Sequence, residues 1–139
     1  MSTPAAAPRT NRPEFRNIHI TQIVRYRMPP AAMVSILHRI SGAALFLALP
    51  VLLWMFDLSL MSEDSYARLA AVASGWIAKL ALLFLIWAFL HHLVAGIRYL
   101  ILDLHVGLEL RQSRTNALAV FAISLPLTLV AALKLFGAF

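Results

Sequence analysis

The stretch SILHRISGAALFLALPVLLWMFDLSL, residues 35–60, decides the fold. From Ile40 to Leu60 it is almost wholly apolar, broken only by Ser41, Asp57 and Ser59. That is about the ~20 residues an α-helix needs to cross a hydrocarbon core roughly 30 Å thick. Two further stretches match it in length. Leu80 to Leu102 holds His91, His92 and Arg98, and Ala117 to Leu133 holds no charge at all. Backbone groups in lipid must be satisfied within their own segment, so runs of this length are helices. A transmembrane barrel would show shorter segments of alternating polarity. The expected fold is all-α: an integral membrane protein with three transmembrane helices.

Composition agrees. Of the 139 residues, 61% are hydrophobic and 13% charged, too little polar surface for a water-soluble domain of this size. There is no cysteine, which excludes disulfides, thiolate catalysis and iron–sulfur ligation by this chain. The net charge of +6 is a topological signal. Nucleic-acid binding would need a basic face on a soluble fold. The first 30 residues are polar and rich in Pro and Arg, without the apolar core of a signal peptide. Arg9, Arg12, Arg16, Arg25 and Arg27 precede the first span, and Arg111 and Arg114 lie between the second and third. Between the first two spans Arg68 is offset by Glu63 and Asp64. The excess of arginine puts the N-terminus and the second loop on the cytoplasmic side. Two regions follow: residues 1–30, a basic segment on that side, and residues 31–139, the three-helix membrane domain.

Punctuation sets the helix limits. Pro29-Pro30 opens the first span near Ala31, since proline suits a first turn, and Pro50 is expected to kink it. Ser62 to Ser65 reads as a turn that caps the next helix. That helix is expected from about Tyr66 to about Leu104, longer than the membrane is thick. The third is expected from Thr115 or Asn116 to Gly137.

Ionisable groups inside spans are costly, and their spacing carries information. Ser35, His38, Arg39 and Gly42 fall on one helical face, as do His92, Gly96, Tyr99 and Asp103. If Ser35 and Asp103 mark the boundary, Arg39 lies about 6 Å deep and His92 about 16 Å, near mid-membrane. A neutral imidazole there suits either a haem iron or a hydrogen bond to another helix. Arginine and histidine nearer the surface suit haem propionates or, for the arginines Arg39 and Arg98, snorkelling to the headgroups. Adjacent His91 and His92 point about 100° apart on a helix, so only one of them faces a given partner.

The pair of motifs SILHRISG (35–42) and HHLVAGIRYLILD (91–103) resembles the large cytochrome b subunit of succinate dehydrogenase (succinate:quinone oxidoreductase, respiratory complex II). The resemblance covers nearly the whole chain, from Arg12-Pro13 through the three spans. It implies a membrane-anchor subunit that carries no succinate chemistry, because succinate oxidation resides in a partner chain. The implied partners are a flavoprotein subunit, an iron–sulfur subunit, a second small three-helix membrane subunit and the lipid bilayer, with no nucleic acid. The implied cofactor is haem b, shared with the sister subunit, with ubiquinone as substrate. By the resemblance, His92 is the axial haem-iron ligand, His38 and Arg39 lie at the propionates, and Ser35 and Arg39 line the quinone pocket. Ser35 would then hydrogen-bond a quinone carbonyl, and Arg39 would stabilise negative charge developing on the quinone. Tyr99 stands where many members have histidine. The roles of His91, Arg98, Tyr99 and Asp103 stay open. The implied location is the bacterial cytoplasmic (inner) membrane, multi-pass, rather than the mitochondrial inner membrane.

Rival readings remain: a haem-free structural anchor, a fumarate reductase membrane subunit, or a small transporter with His38, His91, His92 and Arg98 as a proton relay. The charge asymmetry yields a direct expectation. A topology reporter fused after Phe139 should read as periplasmic, because three crossings start from a cytoplasmic N-terminus. A cytoplasmic reading would remove or invert a span.

Overall fold

The computed structural model describes residues 19–138, and the expected features at Arg9, Arg12-Pro13 and Arg16 lie outside those residues. Among the described residues every regular element is a helix: α1 (Ile20–Arg25), α2 (Pro30–Met61), α3 (Glu63–Ala73), α4 (Trp76–Asp103) and α5 (Leu110–Leu135). Helices α2, α4 and α5 are the three spans. At 32, 28 and 26 residues and about 1.5 Å per residue, each is longer than the hydrocarbon core.

Helix α2 starts at Pro30 and runs unbroken through Pro50. Ser62 ends it and caps α3 reciprocally: the Ser65 amide donates to Ser62 Oγ and the Ser62 amide to Ser65 Oγ, both at 3.1 Å. The expected single helix from Tyr66 to Leu104 is in fact two. The Gly75 amide turns back to the Val72 carbonyl at 3.1 Å, and the Ser74 hydroxyl donates to the Ala71 carbonyl at 2.7 Å. Gly75 is extended (φ −66°, ψ 147°) and opens α4 at Trp76. Serine and glycine together give the chain a way out of the helix that the resuming apolar pattern hides.

Helix α5 also starts earlier than expected, at Leu110. Thr115 does not cap it, since its hydroxyl donates to the Arg111 carbonyl at 3.1 Å, inside the helix. The start is set by a tight turn in which His105 has φ 60° and Gly107 φ 80°. The positive φ favours glycine at 107, and a side chain there would stand 2.5 Å from Asn116 Nδ2 and push that amide aside. At the far end Gly137 (φ 82°) closes α5 as expected. Its amide donates to the Lys134 carbonyl, and the Ala138 amide to the Leu133 carbonyl, a Schellman closure.

Helix α4 is the centre, packed mainly against α5 and then α2. The residues sealed between the helices are Val34 and Ser41 of α2, Ala88, His91, Ala95 and Arg98 of α4, and Ala117, Val120 and Ser124 of α5. On α4 they recur at intervals of three and four, a single stripe. Most are small. Apolar side chains gain little by leaving lipid for protein, so spans associate where small residues let the backbones approach. The large apolar side chains point outward, including Phe46, Leu47, Ile77 and Leu129.

One seam residue conflicts with that logic. His91 is fully buried against Trp87 and Phe121, with ring centroids 5.7 Å from each. Among the described residues neither ring nitrogen has a hydrogen-bond partner, and the neighbouring Val34 backbone does not meet hydrogen-bond geometry. A buried orphan polar atom costs about 1–3 kcal/mol, and an apolar group of the same shape removes that cost. His91→Phe should therefore be neutral or stabilising in a thermal melt of the detergent-solubilised protein. A large loss of stability would mean that the ring makes a polar contact.

Candidate functional site

The two polar faces read from the sequence meet on the flank of α2 and α4. The rings of His38 and His92 stack with centroids 4.1 Å apart and planes 9° from parallel. Tyr99 tilts against His38 at 5.1 Å. Two glycines make the approach possible. A Cβ at Gly42 would stand 2.7 Å from His92 Cε1, closer than carbon atoms pack, while one at Gly96 would meet His38 Nε2 at an ordinary 3.7 Å. Each glycine thus faces a ring of the opposite helix: Gly42 lies under His92, and Gly96 lies under His38. A histidine's side chain leans toward the preceding turn of its own helix and across to its neighbour.

His92 is held by polar contacts as well. Its Nδ1 lies 3.1 Å from the His38 carbonyl oxygen and 3.3 Å from Ser41 Oγ. A carbonyl only accepts, so Nδ1 carries the hydrogen and Nε2 keeps a bare lone pair. Among the described residues Nε2 has no hydrogen-bond partner, and it is not sealed from the surface. His38 covers one face of the ring, and the Nε2 lone pair lies in the ring plane, away from that face. Such a nitrogen, on a ring oriented by a carbonyl, is the usual form of a metal-ligating histidine. A bare ion would need more donors. Among the described residues no group of three or more histidine, cysteine or carboxylate side chains can hold one. A single free imidazole suits a prosthetic group that brings its own equatorial ligands.

Ser35 is half-buried and Arg39 exposed, four residues apart on the same face of α2. Neither side chain is hydrogen-bonded within the described residues. Arg98 turns away from the α2–α4 flank. It is buried in the α4–α5 seam, where its guanidinium reaches the Ser113 hydroxyl at 3.3 Å and the Ser113 carbonyl at 3.4 Å. It also lies over the Tyr99 ring at 5.4 Å. With Arg98 turned to α5 and His91 sealed in the seam, the four residues of the supposed proton relay are divided between separate places. Tyr99 keeps a buried hydroxyl without a partner. Asp57, Asp103, His19 and His105 are exposed.

Ser41 was within the quoted motif but received no role. Its signal was available: three residues after His38, it sits where a hydroxyl can bond back to that carbonyl.

Comparison with known proteins gives the family. The family model for the succinate dehydrogenase/fumarate reductase transmembrane subunit matches residues 9–131. The succinate dehydrogenase cytochrome b556 subunit of Coxiella burnetii is 38% identical over 104 residues, 73% of this chain and 82% of its own. That of Paracoccus denitrificans is 31% identical over 128 residues, 92% of this chain and 95% of its own. That of Rickettsia bellii is 32% identical over 105 residues, 76% of this chain and 82% of its own. Three apolar spans, the paired motifs meeting at His38 and His92, and a match over most of the length lead to one conclusion: the chain belongs to the succinate dehydrogenase/fumarate reductase family of transmembrane subunits.

Proposed function

We propose that this chain is the haem- and quinone-binding membrane anchor of a succinate:quinone oxidoreductase. Its spans tether the flavoprotein and iron–sulfur subunits, and a sister three-helix subunit completes the haem b site. The observation that carries the reading is the setting of His92: its Nδ1 lies 3.1 Å from the His38 carbonyl, and its Nε2 is unsealed and has no hydrogen-bond partner among the described residues. The cytochrome b556 names of its relatives point to the same cofactor. Bound there, the haem would accept and return single electrons beside the quinone path. On this reading the chain's own residues divide the work. His92 would supply one nitrogen to the haem iron, and the sister subunit the other. His38 and Arg39 hold the propionates, with the Arg39 guanidinium suited to a planar carboxylate.

Quinone reduction takes two electrons, from the iron–sulfur partner, and two protons, from the cytoplasmic side. Ser35 donates to a quinone carbonyl. Arg39 stabilises negative charge as it develops there. Both lie in the first three turns of α2, on the side that the charge distribution assigns to the cytoplasm and hence to the soluble partners.

In the assembled complex His92→Ala should remove the low-spin b-type spectrum, and His91→Ala should retain it, because His91 points into the seam. The reverse result would overturn the assignment. Ser35→Ala should weaken quinone binding by about 1 kcal/mol, and Arg39→Ala by more, with poor rescue by lysine. Quinone reduction should fall while succinate oxidation with an artificial acceptor persists. Wild-type quinone rates in both variants would sink the quinone site.

A further inference from the structure

Ser41 is fully buried, although it opens an apolar run. Its Oγ lies 3.0 Å from the His38 carbonyl and 3.3 Å from His92 Nδ1, and that nitrogen lies 3.1 Å from the same carbonyl. A serine in a span commonly bonds back to its own helix, and that habit explains the first distance. It does not explain the second, which crosses from α2 to α4.

The three atoms form a closed triangle, and the hydrogens it can hold are limited. The carbonyl supplies only lone pairs, the hydroxyl one hydrogen, and the imidazole one hydrogen if Nδ1 is protonated. Hydroxyl and Nδ1–H can then both donate to the carbonyl, with Nδ1–H shared toward Ser41 Oγ. In the other tautomer the bare Nδ1 would face the carbonyl oxygen at 3.1 Å, lone pair against lone pair. The triangle therefore selects the Nδ1–H form. It also fixes the ring's rotation, since Oγ and the carbonyl approach Nδ1 from different points along α2. Gly42 completes the seat by leaving no side chain where Cε1 lies, 2.7 Å from a would-be Cβ.

We propose that Ser41 is a positioning residue for His92: with the His38 carbonyl it holds the imidazole as the Nδ1–H tautomer, at a set rotation, so that Nε2 meets the haem iron in one orientation. The inference rests on the reading of His92 as the iron's ligand. Groups that orient a ligating histidine also tune the metal's electronic state, so Ser41 acts on the haem without touching it.

The test uses the assembled complex and compares Ser41→Thr with Ser41→Val, which differ in the hydroxyl but hardly in shape. Threonine retains an oxygen able to reach the carbonyl three residues back. The readouts are low-spin electron paramagnetic resonance, whose g-values report the orientation of the axial imidazole plane, and the haem midpoint potential. Ser41→Thr should keep wild-type g-values and potential, and Ser41→Val should shift both while retaining haem. Ser41→Ala, which adds no bulk, should behave as valine does and carries the comparison if valine prevents assembly. Shifts that are equal in threonine and valine would mean a steric role and overturn the proposal, as would wild-type values in valine and alanine. His92→Ala in the same series separates the two failures. If it retains the low-spin haem, the ligand assignment itself is wrong. If it loses the haem while Ser41→Val and Ser41→Ala stay unshifted, only the role of Ser41 falls.

Discussion

The His38 carbonyl oxygen is the point on which the site depends. It belongs to the α2 backbone, yet it takes hydrogens from a hydroxyl on its own helix and from an imidazole on α4. In water such a bond would compete with solvent and contribute only about 1 kcal/mol. In a span the competitor is hydrocarbon, and an unmade bond leaves a polar nitrogen without any partner. The contact therefore needs α2 and α4 to approach closely enough for a side chain of one to touch the backbone of the other. Gly42 permits that approach, and the small seam residues Ala88 and Ala95 keep α4 near its neighbours along its length.

Helix α4 serves two masters with adjacent stripes. Ala88, His91, Ala95 and Arg98 face the seam, and His92, Gly96 and Tyr99 face the flank shared with α2. Two histidines next to each other in sequence thus have opposite fates. His91 is enclosed by Trp87 and Phe121 without a hydrogen bond, and His92 is bonded and accessible. A rigid helix enforces that separation, since consecutive residues diverge by about 100°. Arg98 is drawn by the same geometry into the seam, where Ser113 of α5 meets its charge. It ties the two helices near their shared turn and leaves Arg39 as the cation of the flank.

The spans were legible because hydrocarbon imposes one length and one composition, and both are visible in Ile40–Leu60 without tertiary information. Each polar face was legible too, since period 3.6 places Ser35, His38, Arg39 and Gly42 on one stripe and His92, Gly96, Tyr99 and Asp103 on another. Where the helices break was not. Ser74-Gly75 lies between apolar residues, and a local bond from Gly75 to Val72 outweighs the pattern. The start of α5 is hidden as well: Thr115 satisfies its hydroxyl inside the helix, while a turn at His105 and Gly107 sets the true beginning. The destination of Arg98 and the pairing of glycines with rings depend on how the helices rotate against one another. That rotation is a property of the packed bundle and not of any one segment.

The rotation also explains why a His-Arg pair can enter an apolar run. His38 spends its ring on stacking and its carbonyl on His92, so it is accommodated within the chain. Arg39, one residue on, diverges from it and stays exposed. A guanidinium one or two turns into a span can reach back to the headgroups, but Arg39 also has Ser35 one turn away on the same face of α2. On the proposed reading an anionic propionate and a polarised quinone oxygen lie within this one flank, and a single planar cation answers both. The pair is then a division of roles between neighbouring residues: the first organises the helix contact that orients the iron's ligand, and the second carries the charge that the bound groups require.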